Sequence, residues 1–357
     1  MALAFVSHIG ALAVRVFLSA DSARNWGQMN TPEAPKLIKQ IAFSLILVFS
    51  FIGTAFADLT PEQQAARDEG LMLYQQHMRS SAIEPLRVAA EAGDRTAQYF
   101  LGETLRLNNM FMTAESRKWY EAAAEQGDLF AMLRLSSSSD LCHEMGTCGP
   151  HSTNWRSTAL ALAHERAAQG DVEAMQALFN AGQGLEWLEK AAEGGYAPAQ
   201  RLLGGLYRDG EGWFLLPGSR QAAIEKWYKA SAEGGFPPGM IWYASLLVKQ
   251  DRINEASSWI RRAAEGGHIE AVYTYASYVA HMPDKFGYPL DMVKGYGLLS
   301  LLAQLEGGGG TQDYAQRKLS RLEEKMTADQ IEEAKVFAAE WEDTHPPLSY
   351  FVPVFGY

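Results

Sequence analysis

Positive charge is scarce in this chain: 31 Lys and Arg stand against 42 Asp and Glu, for a formal net charge of −11. Setting aside residues 1–57, which hold four basic and two acidic side chains, leaves 27 basic against 40 acidic. An acidic surface repels phosphate backbones and anionic lipid, which counts against nucleic-acid and membrane-surface binding and favours a basic partner. Catalytic signatures are missing too: the sequence contains no G-x-S-x-G, no H-E-x-x-H, no phosphate-loop pattern and no S-x-x-K. Only two cysteines occur, and neither stands directly after the apolar run near the N-terminus, so a lipoprotein anchor is not indicated. Composition is 47% hydrophobic and 20% charged, without the bias of a collagen-like or disordered chain, and 357 residues suffice for one large domain or two ordinary ones.

The N-terminal region has the parts of an export signal. Lys36 to Lys39 supplies a basic segment, Ile41 to Ile52 an apolar one, and Ala55-Phe56-Ala57 the small residues flanking a cut after Ala57. The alternative, an uncleaved anchor, has 17 residues from Ile41 to Ala57, at the short end for crossing ~30 Å of hydrocarbon. Starting at Met29 gives a signal of ordinary length, so residues 29–57 read as the signal peptide and residues 1–28 as an untranslated or disordered extension. The expected location is the periplasm, with membrane contact only during export.

Internal repetition is the dominant feature. A phrase of small residues closing on glycine recurs six times, with its last glycine at Gly93, Gly127, Gly170, Gly195, Gly235 and Gly267, at spacings of 34, 43, 25, 40 and 32. Such periods suit a helical-hairpin solenoid. Three residues before each of these anchors stands Ala90, Ala124, Ala167, Ala192, Ala232 or Ala264; four after stands Ala97, Ala131, Ala174, Ala199, Gly239 or Ala271. Small side chains at both places let two helices cross closely, while the anchor glycine can take the left-handed conformation that ends a helix. Trp119, Trp187, Trp227 and Trp259, eight before an anchor, read as core rather than as a cofactor box, as do Leu101, Leu135, Leu178, Leu203, Tyr243 and Tyr275, eight after.

The pattern A-x-x-W-Y/L/I-x-x-A-A-E-x-G-x-x-x-A-x-x-x-L-G resembles the Sel-one-like repeat (SLR) family, relatives of tetratricopeptide repeats. It stands out in Trp119 to Gly127 and in Ala199 to Gly204. The resemblance implies an all-α, right-handed α-solenoid, with repeats over residues 84–310. Before them, residues 58–83 are expected to form a capping helix, begun by Thr60-Pro61 and running from Gln63 to His77. After them come two capping helices in residues 311–345, Gln312 to Lys325 and Ala328 to Trp341, and a tail at 346–357. The 25-residue copy between Gly170 and Gly195 is too short for two full helices, and Met145 to Asn154 and Asp284 to Asp291 read as insertions or long loops.

Cys142 and Cys148 share one loop with His143 and His151. In an oxidising compartment the simplest outcome is a disulfide; zinc is the alternative, at a spacing that matches no standard finger. His77, His164, His268, His281 and His345 are scattered and read as surface or helix-end residues, Ser136 to Ser139 as a helix ending in a loop, and Gly307 to Gly310 as a connector. No metal or other cofactor is expected, nor an enzyme. Repeat solenoids work through the concave face built by the first helix of each hairpin. Positions six and thirteen after the anchors place Tyr99, Arg106, Arg201, Arg208, Ile241 and Tyr273 there, residue types that anchor protein interfaces. The expected partner is therefore a protein. Within the family the chain resembles periplasmic immunity proteins that neutralise phospholipase-type toxins delivered by type VI secretion; the alternative is a scaffold or regulator in envelope assembly or signalling.

Overall fold

The computed structural model describes residues 59–136, 154–305 and 310–355. The signal segment, the choice of start at Met29, Cys142, Cys148 and most of the glycine run from Gly307 lie outside these residues. Residues 59–357 form one compact unit, and its described residues carry sixteen helices: α1 (Pro61–Gln75), α2 (Arg79–Glu91), α3 (Arg95–Asn109), α4 (Ala114–Glu125), α5 (Leu129–Leu135), α6 (Trp155–Ala168), α7 (Val172–Asn180), α8 (Leu185–Glu193), α9 (Ala197–Arg208), α10 (Ser219–Glu233), α11 (Pro237–Lys249), α12 (Ile253–Glu265), α13 (Ile269–Val279), α14 (Met292–Ala303), α15 (Gly310–Glu323) and α16 (Ala328–Thr344).

Each anchor glycine ends one helix and starts the next by the same bonds. All six have positive φ, from 79° at Gly267 to 96° at Gly93. The Gly93 N–H donates to the Ala90 carbonyl at 3.1 Å and the Asp94 N–H to the Ala89 carbonyl at 3.0 Å; the other five anchors repeat both bonds. Helix-end carbonyls that would otherwise lack partners are thereby satisfied. The residue after the anchor then caps the next helix. Asp94, Asp128 and Asp171 accept from the backbone N–H of Ala97, Ala131 and Ala174, and His268 does the same for Ala271 through Nδ1. Replacing Asp94 with alanine is expected to lower stability by about 1 kcal/mol, read in a urea titration as a lower midpoint at unchanged slope.

The small residues flanking each anchor are all buried, as are the six large side chains eight positions after it. Gly204 shows why the stripe is small: a Cβ there would lie 2.7 Å from the Tyr228 ring of α10, so only glycine admits that ring. The tryptophan series divides. Trp119 and Trp227 are buried, whereas Trp187 and Trp259 are half-buried, and each of the four carries a Lys or Arg over its ring. Trp119 and Trp227 belong to the core, whereas Trp187 and Trp259 cover the helix surface beneath a cation.

From α1 to α15 successive helices pack as neighbours along the chain, which makes an α-solenoid of hairpins. Some helices that follow an anchor also touch, α5 with α7 and α9 with α11, as do α1 with α3 and α13 with α15; no two described helices that precede an anchor approach comparably. The post-anchor helices therefore form the inner layer of the curve. The 25-residue copy is too short for two full helices, as expected, and holds two shortened ones, α7 and α8, of nine residues each. At this thin repeat the core divides in two. One apolar cluster runs from Leu73 to Ala181 and a second from Leu188 to Trp341.

Both ends are capped as their local sequence directs. Thr60 and Gln63 exchange side-chain and backbone bonds at the start of α1, and Thr327 and Gln330 do so at the start of α16. α14 packs against α13, α15 and α16. The segment from Asp284 to Asp291 is a loop between α13 and α14.

Candidate functional site

The inner layer carries an extended strip of the chain's own C-terminal segment. Pro346-Pro347 cannot continue α16, and residues 348–355 then cross the inner face in contact with helices far apart in sequence. The Ser349 N–H donates to the Gly267 carbonyl at 2.8 Å and the Ile269 N–H to the Ser349 carbonyl at 3.0 Å, a parallel bridge at the start of α13. One residue further on, the Tyr350 N–H donates to the Gln75 carbonyl at 2.9 Å, at the end of α1. The Gln75 side chain grips Val352 from both sides: its Nε2 donates to the Val352 carbonyl at 3.2 Å and its Oε1 accepts from the Val352 N–H at 2.6 Å. Gln76 Nε2 donates to the Leu348 carbonyl at 3.1 Å.

Aromatic contacts follow the same path. Tyr350 stacks on His77 at 4.4 Å, while Phe351 stacks on His268 at 5.7 Å and meets Phe236 edge-on. Phe351 takes φ 53°, a conformation non-glycine residues rarely adopt. Phe355 packs on Phe130 and lies under the Arg134 guanidinium, 4.3 Å from its ring centre. Val352 is buried with the first core cluster, and Tyr350 packs against both.

Beneath the far end of the strip sits a buried charge cluster. Glu103 on α3 is 1% exposed. It accepts bonds from Arg106 at 2.9 Å, from Tyr120 at 2.9 Å, from Tyr99 at 3.3 Å and from Arg134 of α5, whose Nη2 is at 3.2 Å. Burial first, and the Glu103 charge second, push the Tyr99 and Tyr120 phenols well above their ordinary range, so both remain protonated donors. The Tyr99 hydroxyl stands between Glu103 and the Val354 carbonyl and shares its one proton between these two acceptors, with Val354 the nearer. A single carboxylate thus holds two arginines and two phenols, and two of these four, Tyr99 and Arg134, hold the strip.

The six positions placed on this face by spacing fall in different surroundings. Tyr99 is buried beneath the strip and Arg106 stands beside it on Glu103. Arg208 is exposed, pairs with Asp209 at 2.8 Å and lies 4.4 Å from the Trp242 ring. Arg201 and Ile241 are half-buried, with Ile241 against the second core cluster, and Tyr273 packs toward Tyr314 of α15. The structure brings Tyr99 and Arg106 together and leaves the other four apart from them. Gln75, Gln76, Glu103, Phe130, Arg134 and His268 escaped the spacing rule, since they stand at helix ends or at other positions after the anchor. The detectable signals were a carboxylate in the apolar stripe at Glu103 and the aromatics after Pro346-Pro347.

No family model matches the chain, and no curated protein matches it in sequence. Among solved structures it is similar to a protective antigen of uropathogenic Escherichia coli displaying an SLR fold, at 19% identity and TM-score 0.43 over 80% of this chain; the match spans 62% of the antigen's length. It is similar as well to a Sel1 repeat protein from Oxalobacter formigenes, at 20% identity and TM-score 0.38, covering 79% of this chain and 86% of that one. A third likeness is to the TPR2AB domain of yeast Sti1 in its complex with pHSP90, at 18% identity and TM-score 0.22, covering 76% and 98%. The solenoid itself is read from this chain's own helix packing.

At Gly267 the backbone leading into the strip lies against the repeat. A Cβ there would be 2.6 Å from the Pro347 carbonyl oxygen, whereas one at Gly195 would meet nothing within 4 Å. Both glycines are left-handed, so each alanine substitution carries a conformational cost of about 1 kcal/mol. Gly267→Ala is expected to lose about 2 kcal/mol in all, because the strip must also shift. Chemical denaturation of the two variants checks the difference.

Proposed function

We propose that the protein binds another protein through its inner face. The observation that carries this reading is that the face already holds a polypeptide segment, through main-chain bonds from Gln75, Gln76 and Tyr99 and aromatic contacts from His77, Phe130 and His268. These are the groups by which peptide-recognition surfaces gain affinity and select side chains. An acidic balance outside residues 1–57 favours a basic partner.

Within this reading we place the protein in the periplasm, on the signal-like segment ending at Ala57, and assign it an immunity role against a secreted toxin of phospholipase type, on the family resemblance of its repeats. Two experiments separate the levels. Capture from envelope extract, with a photo-crosslinking residue at Phe130 on the inner face or at exposed Trp213 on the α9–α10 loop, is expected to trap a partner at Phe130; trapping only at Trp213 would remove the inner face from the account. Deleting the gene alone is expected to sensitise cells to attacking siblings, and deleting it with an adjacent toxin gene to be harmless. An envelope defect without any attacker would favour a scaffold instead.

A further inference from the structure

We propose that residues 348–355 occupy, in cis, the site for an extended, aromatic-containing segment of the partner, so that the partner binds by displacing the tail. This rests on the protein-binding reading of the inner face and names the chemistry of what that face takes.

The bonds to the tail are largely indifferent to its side chains. Gln75 and Gln76 meet the carbonyls of Leu348 and Val352 and the N–H groups of Tyr350 and Val352, and Tyr99 meets the carbonyl of Val354. A segment that follows the same backbone path, left-handed at the position of Phe351, offers the same groups. Selectivity is left to three aromatic positions, two adjacent ones on His77 and His268 and a third, four residues later, between Phe130 and Arg134, and to two hydroxyls, that of Ser349 donating to Gln75 Oε1 and that of Tyr350 to Thr311 Oγ1, each at 3.2 Å. A partner segment with aromatics at that spacing fits.

The tail is also held incompletely. Val352 alone of these eight residues is fully buried; Tyr350, Phe351 and Phe355 are half-buried, and Pro353 and Val354 are exposed. A tethered segment has an effective concentration in the millimolar range, so it masks the site from a free peptide of micromolar affinity by about a thousandfold. A folded partner with further contacts on the solenoid can exceed that.

The test uses a fluorescent peptide of residues 346–355, titrated into the native full chain and into the full chain carrying Phe351→Ser and Phe355→Ser, which loosen the tail and leave the groove intact. Saturable one-site binding to the double variant is expected, at least about tenfold tighter than to the native chain. Adding Gln75→Ala to that variant is expected to abolish it. Circular dichroism and thermal melts confirm that each variant is folded; should the double variant fail to fold, Phe355→Ser alone takes its place. Equal binding to native and loosened chains, or none to a folded loosened chain, overturns the proposal. The protein-binding reading is scored separately: a partner that crosslinks at Phe130 yet is not competed by the peptide keeps that reading and removes displacement of the tail.

Discussion

Replacing Glu103 with alanine is expected to destabilise the fold by about 3–5 kcal/mol. The carboxylate is 1% exposed and ion-paired to Arg106 at 17% and Arg134 at 12% side-chain exposure, and it accepts from the Tyr99 and Tyr120 hydroxyls. Removing it leaves two guanidinium groups in a poorly solvated site with their counter-charge gone, where separating a buried pair costs far more than the pair's net worth. Glu103→Gln keeps the shape and acceptor oxygen while losing the charge, so it should fall between the native protein and alanine. Because Tyr99 and Arg134 also touch Val354 and Phe355, tail release is expected to accompany the loss in stability. Urea denaturation gives the first quantity. Hydrogen exchange at the tail amides gives the second.

Acid is the other large lever. Burial lowers the His268 pKa to about 4, and burial, then Arg79, lowers that of His77. A histidine whose folded pKa lies below its unfolded value near 6.5 is held neutral by the fold, so below that value the unfolded chain binds the extra proton. Stability contributed by His268 is therefore intact above about pH 6.5 and lost as pH falls toward 4, by up to about 3 kcal/mol. Both rings stack on the tail, His77 on Tyr350 and His268 on Phe351, and His268 also accepts the α13 cap bond, which protonation at Nδ1 abolishes. Thermal melts from pH 7.5 to 4.5 should show a fall in midpoint that His268→Asn, a neutral cap donor and acceptor, reduces. A midpoint as pH-sensitive in that variant as in the native chain would remove His268 as the cause.

The repeat was readable in the sequence because its determinants are local. Whether Gly93 or Gly235 ends a helix depends on a few neighbouring residues, and the buried alanine and leucine positions recur at fixed offsets from the glycine. The capping pairs Thr60 with Gln63 and Thr327 with Gln330 are legible for the same reason. Two nine-residue helices in the shortest copy were not, since α7 and α8 each lack a stable length alone and are held by packing on their neighbours. The site was harder still. Spacing can place Tyr99 and Arg106 on the inner layer, but the contact of Gln75 with Val352 spans 277 residues and depends on how the whole solenoid brings α1 toward the start of α13. No periodic rule within a repeat carries that information. The aromatic composition of Tyr350, Phe351 and Phe355 marked the tail as apolar enough to seek cover, without saying where.

Amide hydrogen exchange of the tail tests the account most directly. The N–H groups of Ser349, Tyr350, Phe351 and Val352 donate to Gly267, Gln75, the Ser349 hydroxyl and Gln75 respectively. At neutral pH these four amides are predicted to exchange far more slowly than an unstructured chain and to lose that protection together in Glu103→Ala or on acidification. Exchange at the unstructured rate in the native protein, with the solenoid helices still protected, would contradict a tail seated on the inner face.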